Sequence, residues 1–338
     1  MAAQQLYMKV ERNNYYDWLK GVAILMVIGI HTFVGGGFNS FHEWLNTGVR
    51  QILNCAVPIF IASSGFFLAK KQLNNKKLIV GFYKKQISRV YIPCLLWSIP
   101  WFVLHIISGN SVTTGILNLV FCGFSIFYFV ILIIQYYLLL PVFQKLQMGG
   151  VILSTACSLV CVAGVIYVTA IKNIEVPLTM YAGPFPLWVV FFVLGIFLAN
   201  GNRDYMLSLI IVGIVVTLFL QILESRWLLM NSMNGVGYGI KPTSFLFSIL
   251  MIFFFFSKKI EISYKSDQFF NRVMAFIGKV SFVVYLSHTL VIFLLARIPL
   301  YNSVSWFFRF LIVTIVDLLL VGLLYRLIPQ KIKQIIGF

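Results

Sequence analysis

Three ionisable side chains lie inside apolar stretches of this chain, where such groups are rare and energetically unfavourable. His31 lies near the end of the first apolar stretch, His288 in the middle of a later one, and Asp317 deep in the last. A neutral imidazole accepts a proton near neutral pH, so His31 is our candidate for a catalytic base. The alternative is a packing histidine bonded to a backbone carbonyl. Asp317 is a candidate for orienting His31 or His288, or for pairing with a cation on another helix.

Lys20 adds a cation to the same apolar stretch as His31. Asp17 and Lys20 are three positions apart, which predicts an ion pair on one face of a helix. Lys20 and His31 are about three helical turns apart, so they share a face at a separation of roughly 16 Å. We therefore expect a helix with a cation near one membrane surface and a titratable base deeper in the bilayer.

The composition is that of a membrane protein. Of 338 residues, 60% are hydrophobic and only 10% are charged, and the mean hydropathy is +0.94. A soluble domain carries about 25% charged residues. Stretches long enough to cross a bilayer as helices recur about ten times on a 20-residue criterion. The sequence therefore predicts an all-α, polytopic membrane protein in which residues 1–338 form a single membrane-embedded domain without an appended soluble domain.

The predicted membrane spans can be located along the chain from its hydropathy. They cover residues 16–33, 51–69, 90–107, 127–143, 151–170, 185–199, 206–223, 244–256, 280–296 and 305–327. An uncharged loop, residues 108–123, separates the third span from the fourth, and we expect it to lie in the membrane interface or to re-enter the protein.

The basic residues lie between the spans. Net charge is +17, from 26 Lys and Arg against 9 Asp and Glu, and the basic loops at 70–89 and 258–279 fall on the same side as both chain ends. Basic loops stay in the cytoplasm, so both termini are predicted to be cytoplasmic in a multi-pass protein of the cell (inner or plasma) membrane. The charge thus favours contact with membrane lipid over binding to nucleic acid. The five cysteines have no metal-site spacing, so we expect no metal.

Five short motifs, in order along nearly the whole chain, resemble the acyltransferase-3 family of integral membrane acyltransferases. They are Asp17 with Lys20-Gly21 and His31; Pro58-Ile59-Phe60 with Ser64-Gly65-Phe66; Arg89 with Pro93; Phe127-Tyr128-Phe129 with Gln135 to Pro141; and Ser281-Phe282 with Tyr285 to His288. Two positions depart from the family pattern, because Lys20 and Gln86 stand where the family usually has arginine. Lysine keeps the charge but lacks the planar, bidentate fork of arginine.

The resemblance implies transfer of an acyl group, commonly acetyl, from cytoplasmic acyl-CoA to a hydroxyl of a cell-surface glycan or its lipid-linked precursor. Some members of the family carry an additional esterase-like domain. Because no appended soluble domain is expected in this chain, the transfer is expected to take place on the membrane domain itself. His31 would be the base, and both direct transfer and a covalent acyl-histidine stay open. As a candidate catalytic residue, His288 could bond the thioester carbonyl or line the channel, and the alternative is an interhelical hydrogen bond that fixes packing.

The resemblance also implies cations for the phosphates of CoA on the cytoplasmic face. Arg89 is the leading candidate, with Lys20, Lys84 and Lys85 beside it, and the alternative for the lysines is contact with anionic lipid. Tyr285 and Ser64 are candidates for the thioester end of the donor. Their alternative is an interhelical hydrogen bond that fixes packing.

Two other function classes stay open from the sequence. A multi-span transporter or glycan flippase would also contain about ten helices and intramembrane ionisable groups, and it often has two related halves. We find no internal repeat in the chain. A catalytically silent partner or sensor that keeps the fold is the third hypothesis, and it rests on the Lys20 and Gln86 departures. Transfer or hydrolysis of acyl-CoA distinguishes an enzyme from both.

Overall fold

A computed structural model describes residues 13–146, 148–172, 174, 176–231 and 238–338. These residues form helices joined by short turns, with no strand among them, and this part of the chain therefore has the predicted all-α fold. The sequence also predicts a short polar arm at residues 1–15, and most of it, up to residue 12, lies outside the described residues.

The helices are numbered in chain order over the described residues. They are α1 Asn14–His31, α2 Phe41–Leu53, α3 Ala56–Leu68, α4 Lys76–Ile107, α5 Val112–Val120, α6 Tyr128–Phe143, α7 Met148–Ile166, α8 Leu178–Ala182, α9 Val189–Asn200, α10 Leu207–Met230, α11 Pro242–Phe255, α12 Lys258–Ser263, α13 Phe269–Lys279, α14 Ser281–Leu295, α15 Pro299–Ser303, α16 Trp306–Leu327 and α17 Gln330–Ile336. A π-helical turn, Tyr167–Ile171, extends α7, and a 3-10 turn, Phe185–Leu187, precedes α9.

Five helices of the described residues are long and apolar enough to cross a membrane. They are α2 and α3 taken together, α4, α7 with its extension, α10 and α16, and α13 with α14 would make a sixth if this pair, bent by 78°, is one span. Helices α6, α9 and α11 are apolar but shorter. Helix α1 is not among the five, because Asn14, Asp17, Lys20 and His31 lower its hydropathy. The count of ten spans and the cytoplasmic termini stay predictions.

Two predicted loops are helical in part. The basic loop at 70–89 becomes helix from Lys76 onward, where Asn75 Oδ1 accepts a hydrogen bond from the Leu78 amide at 2.9 Å. The resulting 32-residue α4 is about 48 Å long, well beyond the roughly 30 Å of a hydrocarbon core. We therefore expect its basic first third to extend out of the apolar layer as helix. The uncharged loop 108–123 likewise contains the short helix α5.

Helix α1 lies in the centre of the bundle and packs most closely against α13. The two backbones meet at Gly21 and Gly278, where an added Cβ on Gly278 would lie 1.6 Å from the Asp17 carbonyl oxygen. A second close approach joins α3 to α9, because a Cβ on Gly65 would lie 2.2 Å from the Phe192 carbonyl oxygen. The hydrophobic effect does not drive helices together inside a lipid bilayer, so their association depends on close van der Waals packing. Small residues at these crossings permit that packing.

Replacing Gly278 with alanine is expected to destabilise the protein by about 1–3 kcal/mol, because the methyl group meets rigid backbone on α1 and forces the helices apart. The measurement is the melting temperature of the purified protein in detergent. Gly81→Ala is the matched control, since Gly81 lies inside α4 with no atom within 4 Å of an added Cβ. A Gly278→Ala protein that melts with the wild type would show that this crossing is loose.

Two ends of the bundle can be distinguished by the contacts of its loops. At the first, called the Tyr16 end, the Tyr16 ring packs on Phe66 of α3 and on Phe256 after α11. Gln144 after α6 donates hydrogen bonds to the Leu68 and Lys71 carbonyl oxygens, at 3.0 and 2.9 Å, at the same end. The opposite end, where α1 finishes, is called the His31 end. The helical extension of α4 and the basic loops belong to the Tyr16 end.

Candidate functional site

His31 and His288 lie side by side, although they are far apart in the sequence. Their ring centroids are 5.4 Å apart, with the rings inclined at 46°. His31 is the last residue of α1 and is exposed, whereas His288 in α14 is fully buried. Helix α1 packs on both α14 and α16, which brings the two imidazoles together. The pair joins an accessible nitrogen base to a buried one.

The hydrogen bonds of His288 identify its tautomer. Nδ1 lies 2.9 Å from the Val284 carbonyl oxygen one helical turn earlier. A carbonyl oxygen only accepts hydrogen bonds, so Nδ1 carries the proton and Nε2 is an acceptor. His288 Nε2 is buried without a hydrogen-bond partner in the described residues. A buried acceptor without a hydrogen bond is energetically unfavourable. His288 Nε2 can accept a hydrogen bond from His31 when His31 is protonated.

Asp317 contacts the helix that carries His288 but neither histidine directly. Its Oδ1 accepts a hydrogen bond from Ser287 Oγ at 2.6 Å, and both residues are fully buried. The other carboxylate oxygen has no partner among the described residues. Asp317 therefore joins α16 to α14 one residue from His288. This arrangement permits an electrostatic influence on the histidine pair and does not make Asp317 a direct hydrogen-bond partner of either ring.

Tyr285 lies 6.1 Å from His288 between ring centroids. Its hydroxyl donates a hydrogen bond to the Ile126 carbonyl oxygen in the turn before α6. The Tyr285 ring also packs against Phe129 at 5.5 Å. The hydroxyl is thus occupied by an interhelical bond, which favours the packing interpretation of this residue over a direct contact with the donor.

The predicted ion pair on α1 is present. Lys20 Nζ lies 2.7 Å from Asp17 Oδ1, and the carboxylate is buried while the lysine is partly open. Asp17 follows the start of α1 closely, so the pair lies toward the Tyr16 end. His31 is about 16 Å farther along the same helix. A positive group and a base are therefore separated along α1 as the sequence predicted.

Ser64, Tyr137 and Arg89 come together from α3, α6 and α4. Ser64 and Arg89 both lie within range of an electrostatic interaction with the Tyr137 hydroxyl. Arg89, Lys84 and Lys85 are exposed along the helical extension of α4. The structure thus gathers three of the residues predicted for the donor on one helix, with Ser64 beneath them, at the Tyr16 end.

From the sequence alone, Arg50 is expected in an external loop, where it could contact a glycan, but the structure buries it. Its side chain is 8% exposed and its guanidinium lies 5.9 Å from the centre of the Phe33 ring. Arg50 is within electrostatic range of His31. The sequence analysis missed this proximity because Arg50 precedes a predicted span, while α2 begins nine residues earlier at Phe41.

Arg50 belongs to a set of buried or partly buried polar side chains that we call the polar cluster. Its members come from α2, the turn after α2, α10 and the residue before α11, and they are Arg50, Gln51, Asn54, Gln221 and Lys241. Lys241 Nζ donates to Gln51 Oε1 at 2.5 Å, and Arg50 Nη1 donates to Asn54 Oδ1 at 2.5 Å. Polar residues inside the apolar stretches, Gln51 and Gln221 above all, were the sequence signal for this cluster.

A surface cleft of about 420 Å³ lies at the Tyr16 end, away from the residues above. Asn13, Arg203, Lys258 and Glu261 are among the residues that line it. Arg203 Nη1 lies 2.7 Å from Glu261 Oε2, so the principal cation there is already neutralised. The cleft contains none of the candidate residues. The part of the chain that the structure describes also contains no group of three or more metal-ligating side chains.

Comparison with known proteins identifies the family of this chain. The model of an acyltransferase domain, that of acyltransferase-3, matches residues 13–326, nearly the whole described chain. Neither a curated protein nor a solved structure matches the chain significantly. The matched range includes α1 through most of α16, and it therefore contains both histidines and the polar cluster.

Proposed function

The chain belongs to the acyltransferase-3 family, and we propose that it transfers an acyl group, commonly acetyl, from acyl-CoA to a hydroxyl of a cell-surface glycan or lipid-linked saccharide. The family and the apolar helices make it a multi-pass membrane acyltransferase. The observation that carries the finer proposal is the pair of His31 and His288, with one imidazole open and the other buried. We place the reaction in the cell membrane, with the Tyr16 end in the cytoplasm.

In this proposal, His31 is the general base. The acceptor hydroxyl oxygen forms a bond to the thioester carbonyl carbon, and its proton passes to the imidazole of His31. Collapse of the tetrahedral intermediate breaks the carbon–sulfur bond, and the CoA thiolate takes the proton from His31. Protonated His31 donates a hydrogen bond to His288 Nε2. Within the described residues, the His288 ring makes its hydrogen bond through Nδ1, so Nε2 can accept this one. His288 thereby stabilises the charge that develops on His31.

The donor is proposed to bind from the Tyr16 end. Arg89, Lys84 and Lys85 would meet the phosphates of CoA, because a cluster of exposed cations on one helix suits a multiply anionic ligand. Lys20 lies on α1 between this cluster and the histidine pair. The pantetheine arm would extend along α1 over the roughly 16 Å from Lys20 to His31. Ser64 and Tyr137 would then line its path, near the level of Arg89.

Replacing Arg89 with glutamine is expected to raise the KM for acetyl-CoA about tenfold with little change in kcat, because a charge-assisted phosphate contact is lost before the chemical step. Steady-state kinetics with purified protein measure both constants. Lys76→Gln, at the start of the same exposed helix, is the matched control for charge loss. An unchanged KM in Arg89→Gln would remove Arg89 from the donor site.

The proposed function is tested with purified protein in lipid, labelled acetyl-CoA and a saccharide acceptor. The expected result is release of free CoA together with label on the saccharide, in equal amounts. A transporter or flippase would move the saccharide without releasing CoA. If acetyl-CoA neither binds nor loses its acetyl group, the protein is not an acyl-CoA-dependent transferase.

A further inference from the structure

Two cations of the polar cluster are buried without an acidic partner among the described residues. Arg50 is nearly buried and Lys241 is fully buried. No carboxylate of the described residues lies within ion-pair distance of either. The acid within electrostatic range of Lys241 is Glu224, whose Oε2 accepts hydrogen bonds from Thr243. Because a buried charge is unfavourable unless it is paired, this cluster has an unmatched positive charge that suits an anionic ligand.

Most hydrogen-bond donors of the Arg50 guanidinium have no acceptor among the described residues. The guanidinium carries five N–H bonds in a planar fork, and its hydrogen bond within the described residues goes to the neutral side chain of Asn54. Carboxylates and phosphates fit this fork with two parallel hydrogen bonds. The Lys241 ammonium group is hydrogen-bonded to Gln51. Lys241 therefore adds positive potential around Arg50, but it does not contact a ligand of Arg50 directly.

The surroundings of Arg50 are those of a ligand site next to the proposed base. Phe33 packs beneath the guanidinium, and its ring contacts Tyr238 at 5.0 Å and Trp306 at 4.9 Å between centroids. Small-molecule sites combine such aromatic walls with a few fixed polar groups. Phe33 follows His31 by two residues, and Arg50 lies within electrostatic range of His31. The base and the unmatched cation therefore face one region at the His31 end.

We propose that Arg50 binds an anionic group of the acceptor, a carboxylate or a phosphate, while a hydroxyl of the same molecule meets His31. The identification of this ligand as the acyl acceptor rests on the proposed function. Lys241 and Gln51 are positioning residues that hold Arg50 in a positive environment. The acceptor is then an acidic saccharide or one linked to phosphate, and a neutral glycan binds less tightly.

The test is a binding measurement without acyl-CoA, so it does not depend on turnover. Methyl glucoside, methyl glucuronide and glucose 6-phosphate are titrated into the purified protein in lipid nanodiscs, with tryptophan fluorescence as the readout. At least one anionic probe is expected to bind about 10- to 100-fold more tightly than methyl glucoside. Preference for the glucuronide indicates an acidic sugar, and preference for glucose 6-phosphate indicates a phosphate-linked one. Either preference supports the proposal.

Arg50→Gln is expected to abolish the preference while leaving the affinity for methyl glucoside unchanged, and Arg50→Lys to retain part of it. Arg226→Gln is the matched control, because Arg226 is an exposed arginine at the same end, stacked 5.5 Å from Trp44. Should Arg50→Gln not fold, Arg50→Lys carries the test. Equal affinities for all three probes, or a preference that survives in Arg50→Gln, would overturn the inference. Absence of acetyl transfer would instead count against the proposed function alone.

Discussion

His31→Ala is expected to lower kcat for acetyl transfer by about 10²- to 10⁴-fold, the contribution of a positioned general base. The loss should fall on kcat, with the KM for acetyl-CoA nearly unchanged, because the proposed phosphate contacts lie at the opposite end of α1. His31 is exposed at the end of α1, so its truncation removes little packing and the melting temperature should hardly change. Release of CoA and labelling of the acceptor are measured together.

His105→Ala is the matched control for this variant. His105 is a histidine near the end of α4 whose Nε2 lies 3.1 Å from Thr114 Oγ1, apart from the proposed site. Its removal should leave transfer at the wild-type rate. Full activity in His31→Ala would show that another group takes the proton, and His288 would then be the next base to test.

His288→Ala is expected to lower kcat by about 10- to 100-fold, since it removes the hydrogen bond to a charged imidazole in the transition state. The effect should depend on His31. In the double variant, the loss should match that of His31→Ala alone, because His288 acts through His31. A cycle of the four proteins measures this coupling.

Thr289→Val is the control for His288→Ala, as it changes the next residue of α14 at nearly constant shape. The Thr289 hydroxyl is buried without a partner in the described residues, so its replacement should leave both stability and kcat intact. Additive losses in His31→Ala and His288→Ala would contradict the proposed hydrogen bond between the rings and leave His288 a packing residue.

The sequence predicted the apolar helices well and the polar helix ends poorly. Hydropathy located α16 and α14 within a few residues, because their boundaries coincide with changes in polarity. The starts of α2 and α4 are instead set by the caps Ser40 and Asn75, whose side chains accept backbone hydrogen bonds. Caps of this kind allow a helix to start within polar sequence, which a hydropathy window classifies as a loop.

The candidate site was predicted residue by residue, but not as an arrangement. The ion pair of Asp17 and Lys20 follows from spacing on one helix, and it is present. The contact between His31 and His288 depends on how α1 packs against α14, which no local pattern encodes. Arg50 was missed as well, because the polar cluster around it includes Gln221 and Lys241, which come from distant elements.

The most direct test of the account is mass spectrometry of surface glycans from three cell lines. One lacks the protein, one carries the wild type, and one carries His31→Ala at equal abundance in the membrane. We expect an acetyl mass on a glycan hydroxyl in the wild type alone. The same acetyl mass in all three lines, or its full restoration by His31→Ala, would contradict the claim that this protein acetylates a glycan with His31 as the base.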